Sequence, residues 1–167
     1  MRHTEAHIMK RKLFLHLFVA GFTLGLLNTA PIAAGAETAK SEVGVLIKAY
    51  EKALNSGDTS TVMGLYGSNP VFVAPNTQGV AGRDGVKTAY DGLFSAIKPN
   101  LTFTIHEVVD LGDTACVRSS SAGEVEILAN KAKVKDAYNE MFIVRKEQGQ
   151  WKIHRYLFNS AMPAAAK

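Results

Sequence analysis

The sequence predicts an α+β domain, with three N-terminal helices packed on a strongly curved, mostly antiparallel sheet. Apolar residues recur every three or four positions before Pro99 and every second position after it, and helices that precede strands in this way are the α+β pattern. Turn signals at Gly112-Asp113, Asn130-Lys131 and Gln148-Gly149 divide the second half into four strands, with connections short enough for an antiparallel meander.

The first helix carries Val43, Leu46, Ile47, Tyr50, Ala53 and Leu54 on one stripe and ends at Gly57. Asp58 then caps a second helix bearing Val62, Leu65 and Tyr66. Pro70 closes this pair, and Val71-Phe72-Val73-Ala74 is a short strand stopped by Pro75-Asn76. The glycines from Gly79 to Gly85 lack the dinucleotide fingerprint and read as a turn, from which Asp84 caps a third helix with Val86, Tyr90, Leu93, Phe94 and Ile97 on its stripe. A curved sheet wrapped round these helices leaves an interior open at one end.

The N-terminus reads differently. Arg2, Lys10, Arg11 and Lys12 precede an apolar run from Leu13 to Leu27, and small residues follow, ending Ala34-Gly35-Ala36. This is the pattern of a secretory signal peptide over 1–36, because the run is short for a membrane span of roughly 20 residues; an uncleaved anchor is the alternative. The domain proper then covers 37–167, and the protein is expected to be exported, periplasmic or secreted, with no stable membrane association after cleavage. Four of the 19 basic and one of the 15 acidic residues lie in the leader, leaving 15 against 14. The basic pI therefore belongs largely to the leader and gives no case for nucleic acid.

Only His106, His154 and Cys116 remain as soft ligands beyond the leader, with no paired spacing, so neither a metal nor another cofactor is expected. The hairpin from Tyr138 to Ser160 is the most informative stretch. By strand parity Tyr138, Glu140, Phe142 and Val144 share one face, and His154, Tyr156 and Phe158 share another. A carboxylate and an imidazole among aromatics are where a pocket places its few polar groups. On the strand after Asp113, Arg118 goes with Cys116 and Ser120, opposite Val117, Ser119 and Ser121; parity leaves open which set faces inward. If Arg118 does, it meets Glu140, because a buried charge without a partner costs several kcal/mol.

The run Tyr50-Glu51-Lys52-Ala53-Leu54-Asn55-Ser56-Gly57-Asp58, the segment Val71-Phe72-Val73-Ala74-Pro75, the Gly79–Gly85 loop and the closing Trp151-Lys152-Ile153 to Phe158-Asn159 strand resemble the NTF2-like superfamily, in particular its SnoaL-like and DUF4440-type branch. The resemblance spans roughly Ser41 to Ser160 and implies the cone-shaped fold of that superfamily. Its best known enzymes, the ketosteroid isomerases, pair a tyrosine and a protonated aspartic acid as an oxyanion hole with a separate aspartate as base. By this resemblance Tyr50 matches the tyrosine, Glu140 the acid, and Ala74 the place of the base. The missing base disfavours isomerase chemistry unless His106, Asp136 or His154 supplies one from another wall.

The expected function is an exported domain that binds a small, partly apolar molecule in its cone. Tyr50, Arg118, Glu140, Phe142, His154, Tyr156 and Phe158 are the candidate ligand-binding residues. The alternative is an isomerase, lyase or cyclase in which Tyr50 and Glu140 donate hydrogen bonds to an oxyanion, with His154 as a further catalytic candidate. A homodimer is expected through the sheet face carrying Met141, Ile143, Ile153 and Leu157, because the sequence has apolar residues on both faces and NTF2-like domains commonly pair there.

Overall fold

The computed structural model describes residues 30–162, with side chains from 37 onward. The helices are α1 (Ala30–Ser56), α2 (Thr59–Leu65) and α3 (Arg83–Ala96); the strands are β1 (Tyr66–Val73), β2 (Val80–Ala81), β3 (Ile97–Asp110), β4 (Thr114–Ile127), β5 (Lys133–Glu147) and β6 (Gln150–Ser160). The strands form one sheet in the order β2-β1-β6-β5-β4-β3, antiparallel except for the β1–β6 pair. This is the expected α+β architecture. The apolar core of the expected leader, Leu13 to Leu27, lies outside the described residues. The last seven residues of the expected leader, 30–36, have their backbone in α1.

Local chemistry accounts for the joints. Gly57 takes φ +68°, a left-handed conformation that glycine adopts without a Cβ penalty, and ends α1. Asp58 is extended and accepts from the backbone N–H groups of Ser60 (2.9 Å) and Thr61 (3.2 Å), which caps α2. The Asn55 amide donates to the Leu101 carbonyl (2.7 Å) and accepts from the Leu101 N–H (2.9 Å), while Glu51 accepts from the Phe103 N–H (2.9 Å). Glu51 and Asn55 are one helical turn apart, so α1 binds backbone groups that the last strand of the sheet would otherwise leave open. The Asn-Ser-Gly-Asp segment is thus a joint of the fold rather than a piece of chemistry.

Several boundaries differ from the sequence reading. Tyr66 opens β1 and Ile97 opens β3, so each leaves its helical stripe at the point where the chain becomes extended. The turn preceding α3 contains the short β2, held against Val71 and Phe72. The cap of α3 is Gly82 (φ +79°), with Asp84 in the first turn. Arg83 beside it is fixed by bonds to the carbonyls of Met63 (2.9 Å), Tyr66 and Gly67 (both 3.0 Å).

The sheet is bent by bulges. Ile105 pairs with Ser119 and Glu107 with Arg118, so His106 is an extra residue in β3. Ile143 pairs with Arg155 and Val144 with Ile153, so His154 is an extra residue in β6. A bulge bends its strand and moves every later side chain to the other face. Ile153, Tyr156 and Phe72 on one side, and Val117, Phe142 and Val144 beside them, thereby all face the helices and form the core with Tyr50, Val86 and Tyr90.

Candidate functional site

The interior is built on Tyr50, near the middle of the buried stripe of α1. Its ring meets Tyr156, Phe142 and Phe103 edge-on, with centroids 5.4, 5.6 and 5.7 Å away. Phe142 and Tyr156, partners across β5 and β6, stack at 4.1 Å, and Phe158 stacks on Tyr156 at 5.1 Å. Tyr50, Tyr156 and Phe158, with Leu54, Phe72, Leu93, Leu101 and Val125, line a cavity of about 60 Å³.

Polar groups enter this apolar shell as two hydrogen-bonded clusters. The first is a chain of phenols: Tyr90 bonds to Tyr50 (2.7 Å) and to Tyr66 (2.8 Å), hydroxyl to hydroxyl. Burial pushes all three phenols well above the usual tyrosine range, so they stay protonated at neutral pH. Three hydroxyls that make two mutual bonds have one hydrogen left. Either oxygen of each pair can donate; when Tyr66 donates to Tyr90 and Tyr90 to Tyr50, the remaining hydrogen falls on Tyr50, which lines the cavity beside Tyr156.

The second cluster surrounds Glu140, which is only 4% exposed. Ser119 donates to Oε2 (2.8 Å), and Ser121 (2.8 Å) and Tyr156 (3.0 Å) donate to Oε1. Burial raises the carboxyl above its ordinary value of 4.5, and the three hydroxyls act in the opposite sense. A carboxylate has about four lone-pair sites, so three donors leave room for one more. Tyr50 and Glu140 line the same small cavity, and in that order of donation it presents one donor and one acceptor site.

Four of the seven candidate ligand-binding residues, Tyr50, Glu140, Tyr156 and Phe158, line that cavity. Phe142 is fully buried behind them, stacked on Tyr156. Arg118 is elsewhere: its set faces outward, where it is exposed and pairs with Glu107 at 3.4 Å. Ser119 and Ser121, of the opposite parity, take the place beside Glu140. His154 is also outside the cavity, because the bulge at its own position turns it away from Tyr156 and Phe158. Its Nε2 bonds to Glu147 (2.6 Å), which also accepts from the N–H of Ser68 (3.0 Å), so His154 belongs to a clasp between strands. Of the other bases considered, His106 bonds to Ser120 on the outer face (2.7 Å), and Asp136 accepts from the Tyr138 hydroxyl.

Sequence reasoning missed Tyr66, Tyr90, Ser119 and Ser121. Tyr90 had a signal, a hydroxyl-bearing ring on the apolar stripe of α3. Ser119 and Ser121 had one too, as hydroxyls at alternate positions in line with Val117. Among the described residues no three His, Cys, Asp or Glu side chains come together as a metal site.

A family model described as the SnoaL-like domain matches residues 47–154, well over half of the chain. The chain belongs to the SnoaL-like domain family. The match takes in both Tyr50 and Glu140 but stops before Tyr156 and Phe158. No curated protein matches the chain. Among solved structures this SnoaL-like domain resembles a ketosteroid isomerase-like protein from Erwinia carotovora atroseptica, with 28% identity and TM-score 0.70 over 74% of this chain and 96% of that one. It shares its fold with a conserved protein from Planctomyces limnophilus at 17% identity and TM-score 0.68, over 75% of this chain and 98% of that one. It also shares it with a candidate dehydratase of the NTF2-like family from Streptomyces avermitilis, at 18% identity and TM-score 0.64 over 77% and 99%.

Proposed function

We propose that this SnoaL-like domain is an exported binding protein for a small, partly apolar molecule carrying a hydroxyl group. The observation behind this reading is the pairing of one donor with one acceptor in an apolar cavity. A ligand hydroxyl can accept from Tyr50 and donate to Glu140, which completes both clusters, while the aromatic wall takes its hydrocarbon part. Among the residues lining the cavity Glu140 is the only carboxylate and there is no imidazole, so nothing there stands ready to take a proton while Glu140 serves as the hydrogen-bonding group. The basic and apolar leader supports export.

Isothermal calorimetry with 4-methylphenol tests the reading. Tyr50→Phe removes the donor alone and should weaken binding about fivefold, the effect of one hydrogen bond of about 1 kcal/mol. Glu140→Gln should weaken it as well. Absence of binding to the unmodified protein would end the reading.

The second reading is an enzyme working by enolate chemistry. The ketosteroid isomerase-like structure at 28% identity favours it, as does the presence of Tyr50 and Glu140 in one cavity. Turnover of a β,γ-unsaturated ketone by the unmodified protein, lost in both Tyr50→Phe and Glu140→Gln, would establish it over the binding reading.

A further inference from the structure

On the inward row of β4, Ala115, Val117 and Val125 are buried and apolar, while Ser119 and Ser121 are polar and only 2% exposed. Both serines sit beside Glu140. Ser119 is its partner across the β4–β5 pair, and Ser121 is the partner of Tyr138, two residues away. They bond to different oxygens of the carboxyl: Oε1 is filled by Ser121 and Tyr156, whereas Oε2 accepts from Ser119 alone. With about two lone-pair sites on each oxygen, the open position of Glu140 is therefore on Oε2.

That position can hold the carboxyl's own proton or the hydrogen of a ligand hydroxyl, and not both. A protonated Glu140 presents a donor there and suits a carbonyl oxygen, whereas an ionised Glu140 presents an acceptor and suits an O–H. Hydrogen bonds donated to the ionised form favour it, and the serines supply two of the three. The titratable groups around the carboxyl are Tyr50 on α1, Tyr138 on β5 and Tyr156 on β6, with Tyr90 of α3 and Tyr66 of β1 bonded in line behind Tyr50. Burial raises all five phenols, so they stay neutral, and Tyr138 donates to Asp136. No cation is among the residues lining the cavity, so hydroxyl groups alone offset the desolvation of the carboxylate.

We propose that Ser119 and Ser121 are specificity-determining residues: their hydroxyls hold Glu140 as an acceptor, so that the site selects a ligand presenting an O–H over a ketone of the same size. Neither serine lines the cavity, so both act through Glu140 as positioning residues. Tyr50 serves the two ligand classes alike, since an alcohol and a ketone can each accept its hydrogen. The assignment rests on the binding function above and adds the residues that set the class of ligand. It also runs against the enolate reading, in which Glu140 has to donate.

Calorimetry with cyclohexanol and cyclohexanone, a pair alike in size, tests the assignment when repeated at several pH values. Above the titration of Glu140 the unmodified protein should bind the alcohol about tenfold more tightly than the ketone, the effect of one hydrogen bond to a charged group. As pH falls through that titration the alcohol should weaken and the ketone tighten, because the proton then takes the open position on Oε2. Ser119→Ala combined with Ser121→Ala should move this crossover to higher pH; either single substitution should move it part of the way if the double variant fails to fold. Weaker binding of both ligands, with the ratio and the crossover unchanged, would mark a purely structural role for the serines and overturn the assignment while leaving the binding function standing. A ketone preferred by the unmodified protein at every pH would overturn it as well. If neither cyclohexanol nor 4-methylphenol binds the unmodified protein, the binding function fails and the assignment with it.

Discussion

A carboxyl that is 4% exposed and takes three hydroxyl bonds is pulled two ways, since desolvation favours its neutral form and the donors favour its charged one. For Glu140 desolvation is the larger effect, so the folded protein holds this proton more tightly than the unfolded chain does. Stability should therefore fall as pH rises from the ordinary value of 4.5 through the raised one, and level off above it. Asp58 and Glu147 act with the opposite sign: hydrogen bonds lower their values, and the stability they contribute is lost as pH falls through those lowered values. Urea unfolding of the unmodified protein and of Glu140→Gln across this range separates the two. The variant should lose the decline above 4.5 and keep the acid loss. Glu140→Ala should destabilise by about 3 kcal/mol near pH 4.5 and by less above the raised value, because the hydroxyls of Ser119, Ser121 and Tyr156 then lose their common acceptor.

At the scale of elements, two histidine-bearing bulges and one glycine set the shape of the sheet. A Cβ at Gly123 would lie 2.1 Å from the Asn100 carbonyl oxygen across the β3–β4 pair, too close for any relaxation confined to side chains. Gly123→Ala should cost about 1–3 kcal/mol in thermal or urea unfolding, as overpacking does elsewhere. The clasp at the opposite end joins β1, β5 and β6 through Glu147, which accepts from Ser68 and His154. His154→Ala should lower stability modestly and leave alkylphenol affinity unchanged, since the ring points away from the cavity. A loss of ligand affinity comparable to that of Tyr50→Phe would contradict the placement of His154 in the clasp.

For the whole molecule the open question is what covers the outer face of the sheet. Ile143 is 37% and Leu157 47% exposed there, beside Met141. Ile153, which alternation assigned to the same face, is fully buried in the core. We expect a homodimer through the remaining outer residues, so that Ile143→Asp with Leu157→Asp should convert a dimer to a monomer in light scattering. A monomer from the unmodified protein at micromolar concentration would refute it. Export is checked by intact mass: protein from its native host should begin near Glu37, and retention of Leu13 to Leu27 would refute the signal peptide.

The sequence by itself determined the class of fold and most of the elements, because the change of period at Pro99, the cap at Asp58 and the turns at Gly112, Asn130 and Gln148 are local features that need no distant partner. It also placed Tyr50 and Glu140, since each lies in a long regular element whose periodicity runs unbroken through it. What only the tertiary structure decided was the face of β4 that turns inward and the positions at which β3 and β6 break step. Alternation repeats every two residues, so a single inserted residue reverses the assignment of all that follow. The bulge at His154 thus removed that histidine from the site and sent Ile153 into the core, and the inward face of β4 took Ser119 and Ser121 and left Arg118 in water. The phenol chain of Tyr66, Tyr90 and Tyr50 was equally out of reach, for its members stand on three separate elements and meet only when the cone closes.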